Sequence, residues 1–284
     1  MHSKVPTTIK TIRTMKRNGE PFSSLTCYDA TTAKWLERAG IHVLLVGDTA
    51  AEVILGFKRT IDMPLDVLIA LTAGVKRGAP SCMVMADMPF MSYHADDASA
   101  IRNAGRFMTE GCADIVKIEA DASLAPLIAK MARAGIPVCA HVGSKPQRAG
   151  LDGGYTAAGR TSEDAKQVVD DAVALEKAGA VMLLVEAIPD SVTSQIMEKT
   201  TVPVIGIGAG DQCDGQVLVL QDVLGLSESP PPFAHALASM GEDIQRAAQT
   251  WAQMVKERRV SKRSTSSRGA SVVSPEVKQT KTHS

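Results

Sequence analysis

The 284-residue sequence has few aromatics: five Phe, three Tyr and two Trp, 4% of the chain. That leaves little material for the stacked rings on which single-stranded nucleic acid is held. It also has no excess of either charge, since 31 Lys and Arg face 31 Asp and Glu. Neutrality removes the electrostatic case for a polyanionic partner or an anionic membrane surface. No apolar stretch approaches the ~18 residues of a membrane span. The N-terminal MHSKVPTTIKTIRTMKRNGE lacks the apolar core of a secretory signal. The five cysteines, Cys27, Cys82, Cys112, Cys139 and Cys213, are odd in number and form no CxxC pair, which excludes a zinc ribbon and a complete disulfide framework. Most sit in apolar runs and read as buried, reduced thiols of a cytoplasmic protein.

What the sequence does have is short apolar runs in series. They fall at 22–27, 41–46, 82–86, 114–118, 137–141, 181–185, 202–207 and 217–220. They are rich in Val, Ile, Leu and Met and do not alternate with polar residues, as expected of parallel strands buried on both faces. Amphipathic segments separate them at 29–39, 95–110, 122–134 and 162–178, with Ser or Asp starts and Gly stops. The strings ERAGIHVLLV, TEGCADIVKI, ARAGIPVCAH and EKAGAVMLLV repeat one event: helix, glycine, strand. Eight strands with helices between them predict a (β/α)₈ TIM barrel. A doubly wound sheet would place its glycine-rich phosphate loop early, whereas IGIGAG comes late, at 205–210. Residues 7–18 read as an extra N-terminal helix that closes the barrel bottom.

The predicted division is a catalytic barrel over 1–259 and a tail over 260–284. The tail is mostly Ser, Thr, Lys, Arg and Val without periodicity, a composition that reads as disordered. It holds five Lys or Arg and the single acid Glu276, so the first 259 residues hold 26 basic and 30 acidic side chains. Neutrality is the sum of an acidic body and a basic tail.

Barrel chemistry sits where strands end, and five successive runs end in ionisable residues: Asp48 (then Thr49), Asp87, Lys117 with Glu119, His141, and Glu186. Charges at the edge of buried strands are costly unless paired or liganded. Asp48, Asp87 and Glu119 are three carboxylates aimed at one mouth, and a hard divalent cation such as Mg²⁺ relieves their repulsion. The competing reading of Asp48 is a helix cap. Lys117 and Glu119 share a strand face, so Lys117 either contacts a substrate carboxylate, forms a Schiff base, or pairs with a neighbouring acid. His141 is either a substrate contact or a satisfied polar residue. Glu186 follows four apolar residues, a setting that suits a desolvated general base; pairing with Lys117 or Arg160 is the alternative. The long 142–161 segment reads as a lid or substrate wall.

The motifs LLVGDT (44–49), MADMPFMSY (85–93), VKIEA (116–120), HVGSKPQ (141–147), GGYTAAGR (153–160), LLVEAIP (183–189) and PVIGIGAG (203–210) occur in order. Over about residues 5–255 the sequence resembles the ketopantoate hydroxymethyltransferase family. The resemblance implies a barrel of the phosphoenolpyruvate-mutase type, commonly a homodecamer. It implies transfer of a hydroxymethyl group from 5,10-methylenetetrahydrofolate to 3-methyl-2-oxobutanoate, giving 2-dehydropantoate on the route to pantothenate. Implied ligands are one Mg²⁺ per subunit, a 2-oxo acid and the folate, with no nucleic acid or membrane. By position, Asp48, Asp87 and Glu119 match the metal site, Asp48, Thr49, Asp87 and Lys117 the ketoacid contacts, Glu186 the proton acceptor, and His141 a position near the substrate. The sequence departs from the pattern where GDSLGM becomes GDTAAE, where the family's G-[HY]-D-[ST]-T becomes Gly56-Phe57-Lys58-Arg59-Thr60, where YHT becomes Ala70-Leu71-Thr72, and where G-L-T-P-Q becomes Gly143-Ser144-Lys145-Pro146-Gln147. These changes spare the metal and base positions and fall on folate contacts, subunit contacts or specificity. Two other readings fit the same residues: a Mg²⁺-dependent 2-oxo-acid lyase or mutase on this barrel, and a non-catalytic paralogue.

Overall fold

The computed structural model describes residues 5–260. The chain opens with α1 (Ile9–Asn18), β1 (Phe22–Thr26), α2 (Ala30–Ala39), β2 (Val43–Val46), α3 (Ala50–Val53) and α4 (Leu65–Gly78). It continues through β3 (Met83–Asp87), α5 (Asp97–Thr109), β4 (Ile115–Glu119), α6 (Ala125–Arg133), β5 (Val138–Gly143) and α7 (Ala149–Asp152). The last part contains α8 (Ser162–Ala178), β6 (Met182–Glu186), α9 (Asp190–Lys199), β7 (Val204–Ile207), β8 (Gly215–Leu218), α10 (Leu220–Val223) and α11 (Met240–Lys256). The eight strands close into one barrel in sequence order. All pairs are parallel, including β1 with β8. The eight predicted runs are these strands, with no end displaced by more than two residues.

The ends of α2 and α8 follow the predicted punctuation, whereas α5 stops at right-handed Glu110 and the left-handed residue beyond it is Cys112 rather than Gly111. Asp29 caps α2 by accepting from the N–H groups of Thr31 and Thr32, and Gly40 and Gly179 close α2 and α8 in the left-handed conformation. The helix predicted over 122–134 is broken at its start, with a 3₁₀ turn over Ala122–Leu124 ahead of α6. Asp121 accepts from Ser123 N–H and Pro126 occupies the first turn of α6, so the entry is tightened before the helix begins.

Two apolar layers hold the barrel. The outer layer packs Leu44, Val84, Val116, Ala140, Leu183 and their like against the helices. The inner layer fills the barrel with Phe22, Val43, Met83, Ile115, Met182, Ile205 and neighbours. Ile12 of α1 is fully buried in that inner layer, so the N-terminal helix closes the barrel bottom as expected. The alternation along each strand then sets the top layer. Two residues beyond inward Met85 comes Asp87; beyond Ile115 come Lys117 and Glu119; beyond Cys139 comes His141; beyond Leu184 comes Glu186. Register sets Asp87 beside Lys117, Glu119 beside His141, and Gly143 beside Glu186 on neighbouring strands. An ionisable layer thus rests on apolar layers inside one barrel.

The chain divides into two compact units, up to Ala238 and from Ser239. The described part of the second is α11, with Glu242 and Asp243 in its first turn and Lys256 in its last, charges that match the helix dipole. No described helix is long and apolar enough to cross a membrane. The basic tail expected beyond residue 260 lies outside the described residues.

Candidate active site

Five of the predicted residues form one buried contact network. Lys117 Nζ lies 2.6 Å from Asp87 Oδ1. Burial alone lowers the affinity of Lys117 for its proton, but the charges of Asp87, Asp48 and Glu119 outweigh it and hold the ammonium above its usual pKa. On its other side Nζ is 3.3 Å from His141 Nδ1. An ammonium only donates, so Nδ1 accepts and the imidazole proton is assigned to Nε2. Burial, then Lys117, lowers the pKa of His141, which keeps the ring neutral. Nε2 faces Glu186 Oε2 at 3.3 Å, out of line for a hydrogen bond.

Asp48 and Glu119 are drawn in by a residue to which the motif reading assigned no role. Gln147 Nε2 donates to Asp48 Oδ2 at 2.8 Å and to Met88 O at 3.1 Å. Its backbone N–H reaches both oxygens of Glu119 at 3.2 and 3.1 Å. Its Oε1 accepts from Tyr93 at 2.9 Å. The signal for Gln147 was its place in HVGSKPQ. Pro146 opens a 3₁₀ turn there that brings Gln147 back under the mouth. Asp48 N–H donates to Asp87 Oδ2 at 3.0 Å. Burial and then Asp87 push the Asp48 carboxyl up to about 7, against the pull of Lys117 and Gln147. Glu119 is also held well above the usual range, first by burial. Tyr28 was missed as well: its hydroxyl is buried near Thr26, and the charges of Asp87 and Asp48 act on it.

The three acids are oxygen donors crowded under one mouth; Asp48 and Glu119 are raised first by burial and then by neighbouring like charge, and that repulsion is what a hard divalent cation relieves. Among the described residues no three such groups stand as a ready-made metal cage. Mg²⁺ commonly takes only one or two protein carboxylates and fills the rest with water and substrate oxygens, so Asp48 and Asp87 fit its chemistry.

Above this layer lies a cavity of about 900 Å³. Glu186 and Thr49 belong to its wall, with Ser144, Tyr155 and Arg160 from the 142–161 segment. That segment therefore acts as a wall, as expected. Glu186 keeps 21% of its side chain exposed, less desolvated than the preceding apolar run predicts. Its place is set by close backbone approach. A side chain at Gly143 (φ +96°) would meet Glu186 O at 2.5 Å, and Ser144 N–H donates to that carbonyl. Ala187, the next residue, holds a left-handed φ of 48°, uncommon without glycine and a form of strain that collects at working sites. Its N–H donates to Ile207 and its carbonyl accepts from Ala158, which ties the wall to the candidate base.

Residues 6–262 match the profile of the ketopantoate hydroxymethyltransferase family. The 3-methyl-2-oxobutanoate hydroxymethyltransferase of Halorhodospira halophila is 44% identical over 249 residues, 88% of this chain and 90% of that one. The enzyme of that name from Hyperthermus butylicus is 42% identical over 259 residues, 91% and 90% of the two chains. Among solved structures, phosphoenolpyruvate phosphomutase from Streptomyces platensis superposes with a TM-score of 0.61 at 14% identity, covering 89% and 88% of the chains. Phosphonopyruvate hydrolase complexed with oxalate and Mg²⁺ gives 0.60 at 12% identity, covering 89% of each. These two share the fold. With its matched motifs, its barrel and the extent of these alignments, the chain belongs to the ketopantoate hydroxymethyltransferase family.

Proposed function

We propose that this chain moves a hydroxymethyl group from 5,10-methylenetetrahydrofolate to 3-methyl-2-oxobutanoate, giving 2-dehydropantoate, with Glu186 as the base. The observation that supports it is the position of Glu186: a carboxylate on the cavity wall, backed by a neutral His141 that in turn leans on Lys117. The C3 proton of the ketoacid goes to a Glu186 carboxylate oxygen. The electron pair left behind spreads onto the keto oxygen. Lys117 adds positive charge beneath that oxygen, and Thr49 offers a hydroxyl from the cavity wall. Water opens the methylene bridge of the folate, so that one C–N bond breaks and the carbon gains its hydroxyl. C3 then bonds to that carbon as the second C–N bond breaks, and the proton held by Glu186 goes to the freed nitrogen, releasing tetrahydrofolate.

Asp48 and Asp87 are the residues that would hold Mg²⁺, with Glu119 nearby and reachable through water. Bound there, the ion supplies Lewis-acid stabilisation of oxyanion charge. Base catalysis alone contributes only about 10²–10⁴-fold, so positive charge at the keto oxygen is as necessary as Glu186.

The test is Glu186→Gln. It should keep ketoacid and Mg²⁺ binding and lose solvent deuterium exchange at C3. Retained exchange removes Glu186 as the base. Folate-dependent turnover separates this reading from a lyase or mutase on the same barrel.

A further inference from the structure

The cavity is far larger than a five-carbon acid fills, and volumes near 900 Å³ suit a much bulkier ligand. Its outer wall is mostly small or apolar, with Val53, Ala157, Ala158, Ile188, Pro231 and Pro232. Two rings lie on it with exposed surface, Tyr155 at 61% and Phe233 at 38%. Such a wall suits a flat heterocycle.

One group on this wall breaks the pattern. Glu52, in the first turn of α3, lines the same cavity and is half-buried. Tyr155 O–H donates to its Oε1 at 3.1 Å across 103 residues of sequence. No ion pair involving Glu52 forms among the described residues, and Arg160 on the same wall is not within pairing distance of it. One phenol cannot satisfy a carboxylate, which offers about four acceptor positions. Glu52 also lies in a departure from the family pattern, GDTAAE for GDSLGM. The same segment has lost an acid at position 58, where Lys58 now stands exposed.

The ketoacid does not explain this residue. It is an anion with no hydrogen-bond donor, so a carboxylate near it repels and offers nothing in return. The reduced pterin of a folate has the opposite chemistry. One edge carries a ring N–H beside an amino group, two parallel donors that match the two oxygens of a carboxylate. We propose that Glu52 is the polar anchor of the pterin, accepting from its ring N–H and 2-amino group, while Tyr155 fixes the carboxylate from the other side. In this arrangement Glu52 sorts the two substrates. It draws the donor heterocycle to the outer cavity and keeps a second ketoacid from occupying it.

This inference rests on the folate reading above, and the experiment separates the two. The full chain with Mg²⁺ is titrated by calorimetry with tetrahydrofolate and with its analogue lacking the 2-amino group. Wild type should bind the analogue roughly tenfold or more weakly, the worth of a hydrogen bond to a charged group. Glu52→Met, which removes both acceptor oxygens at similar length, should weaken tetrahydrofolate by a similar factor and bind both ligands alike. Tyr155→Phe, which keeps the ring, should fall between. Equal binding of the two ligands by wild type overturns the assignment without any variant. So does a Glu52→Met protein that still prefers tetrahydrofolate. A wild type that binds no tetrahydrofolate takes down the folate reading and this inference together.

Discussion

Gln147 offers a quantitative test of how the acidic floor is held. Replacing it with Leu keeps most of its volume and removes three side-chain hydrogen bonds: to Asp48, to Met88 O and from Tyr93. The bond to Asp48 serves a charged group and is worth ~1.5–3 kcal/mol when Asp48 is ionised. Tyr93 and the Met88 carbonyl lose neutral bonds worth about 1 kcal/mol each. Tyr93 retains a longer contact with Glu119 O at 3.3 Å, which trims its share. The backbone N–H to Glu119 survives the substitution. The expected loss for the metal-free protein is therefore ~3–4 kcal/mol above the Asp48 titration. Below it the Asp48 bond is neutral and the loss falls to ~2–3 kcal/mol. Since Gln147 lowers a carboxyl that stands at about 7, the variant should titrate Asp48 higher. Urea unfolding at pH 5.5 and 8.5, with the slope unchanged, reads both quantities. A loss under ~1 kcal/mol, or a penalty indifferent to pH, would mean that Gln147 does not hold Asp48 in solution.

Other consequences follow from the same geometry. Asp48 keeps its proton in the folded state up to about pH 7, while the unfolded chain releases it near pH 4. Folding then binds a proton in that window, so the metal-free protein should lose up to a few kcal/mol as pH rises from about 4 to about 7. Asp48→Asn should flatten that slope in thermal melts, and Mg²⁺ should flatten it in wild type; an unchanged slope in either refutes the assignment. Lys117→Met strands Asp87, its ion-pair partner at 2.6 Å, and should cost ~3–5 kcal/mol. Asp87→Leu added to it should recover part of that loss in urea melts. At Gly78 a Cβ would meet Ala30 O at 2.3 Å, backbone against backbone where α4 crosses α2. Gly78→Ala should lower stability by about 1–3 kcal/mol while C3 exchange in the folded protein stays intact.

Much of this was legible because the relevant signals are local. A strand buried on both faces is a run of Val, Ile and Leu, and its helix starts and stops are single residues. Asp87, Lys117, His141 and Glu186 were visible because each ends such a run. Their convergence follows from period two and barrel closure, which sequence order alone anticipates. What escaped has no signature in charge or periodicity. Gln147 is neutral, lies in a connecting segment and acts on Asp48 from 99 positions away. The Glu52–Tyr155 contact spans two segments that no periodicity relates. The desolvation of Glu186 was overestimated because the strand before it is buried while its own side chain opens on the cavity. The metal reading of three acids also gains detail: each already has a protein partner, Lys117 for Asp87 and Gln147 for the other two. Any cation shares the carboxylates with those partners.

The order of donors along the floor gives the proton a direction. Lys117 donates toward Asp87 on one side and toward His141 Nδ1 on the other, and an ammonium cannot accept from either. His141 is thereby left with its proton on Nε2, facing Glu186. From within the barrel Glu186 sees a donor and no base. A proton taken up by Glu186 cannot pass inward to His141, because Nε2 is already protonated and Nδ1 is engaged by Lys117. It stays on the carboxyl group, exposed to the cavity from which it came. There it can trade with solvent before a proton is returned to C3 on the same face, so under the proposed mechanism exchange at C3 would report on Glu186 before any one-carbon donor is present. The same polarity explains why a charged His141 would be counterproductive. Its second proton would sit on Nδ1 against the Lys117 ammonium, and burial with that neighbouring cation already holds its pKa down. Lys117 and His141 thus keep their protons fixed, while in the proposed reaction the single transferred proton moves above them.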